Sequence, residues 1–293
     1  MIIVRLMGGL GNQMFQYAFG RAMAHRNSTE LKLDTSSFPE RTATDNGYVE
    51  RNYDLDVFTV EPEFATSSEV ALLSKRSSVR LLDRVMNKAL GFKSSVVLEP
   101  HFHFSNSVAY ETNGDRYMIG YWQSPKYFEE IEPVIRDEFQ FREPVAADAA
   151  ELRERIETAN SVCLNVRRGD FVVNPFHGSL GVDYFQTADR MLGERLLDRE
   201  YFVFSDDVEW CEANLRFDVP TTFVSHSYAG RKFQDYLRLM SSCKHFVIPN
   251  SSFAWWAVWL NKSSDRIVVA PKEWFSDSSY NTSDLIPDDW IRI

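Results

Sequence analysis

The sequence predicts an α/β fold built on parallel sheets, and three observations carry that prediction. First, the second half alternates short apolar runs, at 161–166, 201–204, 222–224, 245–248 and 267–270, with stretches of helical spacing. Apolar strands separated by helices belong to parallel sheets covered on both faces. Second, the chain opens with an apolar run from Ile2 to Leu6, a glycine-rich turn, and then Met14, Phe15, Ala18, Phe19, Ala22 and Met23 at helical spacing. Third, several apolar runs end abruptly in polar clusters. Open α/β sheets place their ligands at the carboxyl ends of the strands.

Composition bounds the function. A chain of 293 residues holds one large domain or two of ordinary size. The formal net charge of −10 argues against a nucleic-acid partner, whose phosphates demand a basic surface. Cys163, Cys211 and Cys243 lie far apart, with neither a disulfide framework nor zinc spacing, as in a reducing compartment. The N-terminus reads as a first strand, so no secretory leader is expected. The longest dense apolar run, Phe253 to Leu260, is too short to span a bilayer. The sequons at Asn27 and Asn281 are therefore expected to stay idle.

Taken in order, Ile2–Leu6 is the first strand, and Gly8, Gly9, Leu10, Gly11, Asn12 and Gln13 form the turn into the first helix. Strand, glycine loop and helix together aim backbone N–H groups at an anion. Met14 stands where the dinucleotide fingerprint needs its third glycine, and no Gly-Lys-Ser/Thr follows as in a P-loop. The turn is therefore either an anion cradle reached by the amides of Asn12 and Gln13, or a packing device. Residues 30–34 read as a strand, 35–53 as a long polar loop, and 69–90 as a helix with a solvated basic face. Val96 begins a strand that runs into a His/aromatic cluster of His101, Phe102, His103 and Phe104. Two histidines at i, i+2 without a third ligand favour an aromatic, sugar-contacting loop over a metal site. Tyr117–Gly120 is a strand leaving into Tyr121, Trp122, Gln123 and Ser124, with a helix over 126–139. Pro144 marks a boundary and Asp148 is placed to cap the next helix, giving domains 1–145 and 146–293.

Three strands of the second half end in polar clusters: Arg167, Arg168, Gly169 and Asp170; Ser205, Asp206 and Asp207; and Asn250, Ser251, Ser252 and Phe253. Parallel strands would bring the three to one edge. Arginine suits bidentate phosphate binding, the acidic pair suits a ribose or base, and the serine turn can donate at a helix start. Singly, Asp206 and Ser251 also read as helix caps. Together the clusters point to a nucleotide site.

Five stretches, Gly8–Gln16, Gly120–Ser124, Val166–Asp170, Phe204–Asp207 and Asn250–Trp256, occur in the order found in the bacterial α-1,2-fucosyltransferases of glycosyltransferase family 11, which the sequence resembles over nearly its whole length. The resemblance implies a GT-B-like architecture, two Rossmann-like halves with parallel sheets facing a central cleft. The N-terminal half would take the acceptor and the C-terminal half the GDP-sugar. It implies inverting transfer of L-fucose from GDP-fucose to O2 of a galactose in a glycan acceptor, which can be lipid-linked. No cofactor and no metal are implied. The location would be cytoplasmic, extending to the inner membrane face, with no transmembrane segment.

On the same resemblance Arg167 and Arg168 hold the pyrophosphate, with Arg167 catalytic. Gly9, Gly11, Asn12 and Gln13 face the donor from the other half. Asp206 or Asp207 lies near the guanosine, and Asn250, Ser251, Ser252 and Phe253 form the phosphate- and sugar-side turn. The family usually carries histidine two residues before the first arginine. Here Asn165 stands there, able to donate and accept a hydrogen bond but not to gain a proton. Asp170 is the nearest carboxylate, and either acts as general base or orients Arg168. Two other readings stay open: another GDP-sugar or linkage, and a catalytically silent binding protein.

Overall fold

The computed structural model describes residues 1–38, 52–75, 95–169, 178–277 and 279–293. The chain divides into two compact units, the first ending at Gln140 and the second running from Phe141 to Ile293. Each is α/β, with its own parallel sheet.

In the first unit the sheet comprises β1 (Ile2–Arg5), β2 (Leu31–Asp34), β3 (Glu63–Phe64), β4 (Val96–Leu98) and β5 (Arg116–Ile119). The order is β3-β2-β1-β5-β4, with every neighbour parallel. The central position of β1 explains its composition: Ile2, Ile3 and Val4 are wholly buried, and Val4 pairs with Leu33 on one side and Met118 on the other. Helix α1 (Leu10–Arg26) follows the glycine turn, and α2 (Ser67–Lys75), α3 (Asn106–Glu111) and α4 (Glu132–Glu138) complete the described helices of this unit.

The second unit carries β6 (Asn160–Val166), β7 (Arg199–Ser205), β8 (Thr221–Phe223), β9 (His245–Val247), β10 (Val268–Ala270) and β11 (Ile291–Arg292). The order β8-β7-β6-β9-β10-β11 is the doubly wound 3-2-1-4-5-6 arrangement. Its described helices are α5 (Ala147–Thr158), α6 (Val182–Gly193), α7 (Val208–Asn214), α8 (Gln234–Ser242) and α9 (Ser252–Leu260). Strand β6 is buried on both faces: Val162, Leu164 and Val166 pack with Phe185, Ala188 and Leu192 of α6, while Cys163 lies buried on the opposite face. None of the described helices is long and apolar enough to cross a membrane.

Two expectations change, and two edge strands stand where none was predicted. The helix expected over 126–139 is two 3-10 turns, Pro125–Tyr127 and Glu129–Ile131, followed by α4 from Glu132. Pro133 lacks an N–H and fits only a first helical turn, so the helix must start just before it. Asp148 is not the cap of α5: Ala146 holds that position without a side-chain bond, and Asp148 sits in the first turn, where it favours the helix dipole. The edge strands β3 and β11, two residues each, are too short to leave a periodic signal. Most of the predicted loop at 35–53 and of the basic helical face at 69–90 lies outside the described residues.

Candidate active site

The second unit builds its site at the carboxyl edge of the sheet. From β6 the chain moves outward to β7 and β8, then returns to the opposite side of β6 at β9. The switch point therefore lies between β6 and β9, where such sheets bind ligands. Register pairs Asn165 with Phe204 and Val166 with Ser205, so the arginines leave β6 beside the aspartates leaving β7.

Those four residues interlock. Arg167 Nη1 lies 2.8 Å from Asp206 Oδ2, and Asp206 Oδ1 accepts the backbone N–H of Arg168 at 2.9 Å. Arg168 Nε donates to Asp207 Oδ2 at 3.3 Å, and its guanidinium lies 3.9 Å from the ring centre of Trp210. Asp207 also caps α7, its Oδ1 accepting the Trp210 N–H at 3.0 Å. A Cβ at Gly169 would sit 2.6 Å from Asp206 Oδ2, so a larger residue there would displace that carboxylate. The result is two half-buried cations, each oriented by its own carboxylate, at the central strand end.

Across the switch point, β9 runs through Ile248 into Pro249 and Asn250. Tyr184 of α6 donates to the Ile248 carbonyl at 2.6 Å and fixes this exit. Asn250 is buried and donates to the Trp274 carbonyl at 3.1 Å. Ser251 caps α9 by accepting the Ala254 N–H, so Ser252 and Phe253 form the first helical turn. Asn165 is buried, and its amide donates to the Phe204 carbonyl at 3.0 Å.

In the first unit the switch point lies between β1 and β5. Gly8 takes a left-handed φ of 75°, and Gly9 occupies the start of α1 with no side-chain cap. Gly11 is buried and Asn12 half-buried in the first turn. Asn12 Oδ1 accepts from Gln123 Nε2 at 2.7 Å. Gln13 is wholly buried, donating to the Gly8 and Asn52 carbonyls at 3.0 and 2.7 Å and accepting the Asp54 N–H at 2.8 Å. Asp170 lies outside the described residues. His101 and His103 stack at 3.6 Å, and among the described residues no three His, Cys, Asp or Glu gather as a metal site would require.

The profile of glycosyl transferase family 11 matches residues 97–293, more than half of the chain. The chain belongs to that family. It is 32% identical over 298 residues to an Escherichia coli α-1,2-colitosyltransferase, covering 100% of this chain and 98% of that protein. It is 30% identical over 286 residues to the Mus musculus galactoside 2-α-L-fucosyltransferase Sec1, covering 92% of this chain and 67% of that one. Among solved structures, a mutant of Arabidopsis thaliana FUT1 in complex with GDP matches with a TM-score of 0.51 at 14% identity, over 98% of this chain and 74% of that chain. At that identity the likeness is one of fold, and the two parallel sheets place this family 11 glycosyltransferase in the GT-B class.

Three residues near the strand ends of this family 11 chain, one of them in α7, escaped the sequence reading. Trp210 gave no signal beyond helical spacing. His226 follows β8, and its Nε2 lies 2.8 Å from the Ser205 carbonyl; only the sheet order brings them together. Glu99 accepts the N–H groups of Tyr121 and Trp122 at 2.7 and 2.9 Å. Burial pushes its carboxyl up to about 6, against the pull of those two N–H groups. A carboxylate following an apolar strand was the available signal.

Proposed function

We propose that this family 11 enzyme transfers L-fucose from GDP-fucose to O2 of a terminal galactose in a glycan acceptor, with inversion and without a metal. The observation that carries the reading is the pair Arg167 and Arg168 at the carboxyl end of β6, each oriented by an aspartate. The acceptor hydroxyl attacks the anomeric carbon as the GDP oxygen departs. The sugar passes through an oxocarbenium-like transition state, and charge grows on the pyrophosphate. Fixed guanidinium groups stabilise that charge without reorganising. The hydroxyl loses its proton to a general base, for which Asp170 is the nearest carboxylate to the motif. Ser252 and the start of α9 serve the phosphate side, and the family resemblance reads Asn12 as a donor-sugar contact.

The α-1,2 linkage draws support from two relatives, both named for transfer to that position. They differ in the sugar, and the 32% relative favours a second reading in which the donor carries colitose, which lacks the 3-hydroxyl of fucose. A site that hydrogen-bonds a substrate hydroxyl rejects the analogue lacking it by about 10⁴-fold. The deciding experiment measures kcat/KM for GDP-fucose and GDP-colitose with a galactoside acceptor, followed by linkage analysis. Preference for GDP-fucose with a 2-linked product supports the first reading. Preference for GDP-colitose selects the second, and transfer from neither contradicts both.

A further inference from the structure

The stretch Gly120–Ser124 takes no part in the chemistry just described, yet its geometry is over-determined. Trp122 has a φ of 56°, a costly conformation for a bulky side chain. It is wholly buried and stacks on Phe19 at 4.0 Å. The two Glu99 oxygens each take one backbone N–H of this turn, from Tyr121 and from Trp122. Gly120 has room for no side chain, since a Cβ there would lie 2.5 Å from Glu99 Cβ and 2.9 Å from Trp122 Cε2. Gln16 of α1 donates to the Gly120 carbonyl at 3.1 Å and accepts the Met7 N–H at 2.9 Å, tying the turn to the glycine loop.

All these contacts converge on the placement of Gln123. It is buried, and its Nε2 donates to Asn12 Oδ1 at 2.7 Å. With Oδ1 engaged, Asn12 Nδ2 lies over Gly8, where a Cβ would come within 2.4 Å of it. The bond from Gln123 therefore sets which end of the Asn12 amide faces the glycine loop. For an anionic donor that choice matters, because the N–H₂ end attracts phosphate and hydroxyl oxygens and the carbonyl end repels them.

We propose that Glu99 and Gln123 are positioning residues: the Glu99 carboxylate holds the strained Tyr121–Trp122 turn, and Gln123 turns the Asn12 amide so that its N–H₂ end faces the glycine loop. This rests on the reading of Asn12 as a donor-sugar contact.

Gln123→Glu is the sharpest test. The carboxylate has the same shape but cannot donate to Asn12 Oδ1; it accepts the N–H₂ instead and reverses the amide. Gln123→Met keeps the bulk and exerts no preference. The expected result is a loss of about ten- to a hundredfold in kcat/KM for the donor with Gln123→Glu, a smaller loss with Gln123→Met, and similar Tm for both. Glu99→Gln, whose amide oxygen replaces only one of two acceptors, should raise the donor KM in the same direction. Asn12→Ala separates the two levels of the claim. If Asn12→Ala transfers normally, Asn12 is no donor contact and the positioning role falls with it. If Asn12→Ala is impaired but Gln123→Glu keeps wild-type kcat/KM, the donor reading stands and the positioning inference is overturned. Should Gln123→Glu fail to fold, wild-type kcat/KM in Gln123→Met overturns it equally.

Discussion

Arg167 and Asp206, leaving neighbouring parallel strands, meet at 2.8 Å, and Asp206 simultaneously takes the backbone N–H of Arg168. One carboxylate thus fixes both the side chain of the first arginine and the backbone direction of the second. A partly exposed ion pair adds little to stability, so its value lies in geometry. Asp206→Asn should keep the bond to the Arg168 N–H and lose the charge opposite Arg167. Steady-state kinetics should show a raised donor KM and reduced kcat with a Tm close to wild type. Unchanged kinetics would show that Arg167 needs no orientation.

Asp207 plays two parts, capping α7 and holding Arg168. Asp207→Ala should cost about 1 kcal/mol of stability through the lost cap, read by urea unfolding. It should also weaken GDP binding, read by calorimetry. Asp207→Ser restores a capping oxygen but not the partner of Arg168. It should recover the stability and leave the GDP defect in place; recovery of both would reduce Asp207 to a cap.

Asn165 is buried with its amide on the Phe204 carbonyl. Asn165→Ala leaves that carbonyl short of its donor and should destabilise by about 1 kcal/mol. Asn165→His, which restores the usual family residue, should keep transfer and gain a pH dependence near neutrality, since histidine titrates there. Turnover measured between about pH 5.5 and 8.5 decides the matter: parallel profiles for the two forms would mean that residue 165 does not sense the nucleotide.

Glu99 should shape stability against pH. Its carboxyl stands at about 6 in the fold against an ordinary 4.5, because burial disfavours its charge. The folded state therefore binds the proton more tightly than the unfolded chain. Stability from this group is full below about pH 4.5 and falls as pH rises through 6, by about 2 kcal/mol in all. Glu99→Gln should remove that slope. Urea unfolding of both proteins across this window checks it, and identical slopes would place the titration elsewhere.

Much of this was legible in the sequence, for reasons visible in particular residues. Continuous apolar runs such as Val162–Leu164 mark strands buried on both faces, and the parallel sheet followed from them. Arg167, Arg168, Asp206 and Asp207 stood out because they close apolar runs at the strand ends where α/β sheets place their ligands. What stayed hidden depends on pairing order and side-chain direction. Sequence spacing separates Arg167 from Asp206 by 39 positions, and only the register of β6 on β7 brings them together. Gln13 and Asn12 are adjacent, yet the turn of α1 sends Gln13 into the interior and leaves Asn12 half-exposed. The role of Gly120 arises from Glu99, just past the end of β4.

The central claim is that the twin arginines, and no metal, stabilise the departing pyrophosphate. The most direct measurement is transfer from GDP-fucose to a galactoside in excess EDTA, by the wild type, Arg167→Ala and Arg167→Lys. We predict full wild-type turnover, and a loss of roughly 3 kcal/mol in transition-state stabilisation, about a hundredfold or more, in Arg167→Ala. Arg167→Lys should rescue poorly, because a point charge lacks the planar fork. Loss of wild-type turnover in EDTA restored by magnesium or manganese, or near-normal turnover by Arg167→Ala, would contradict the claim.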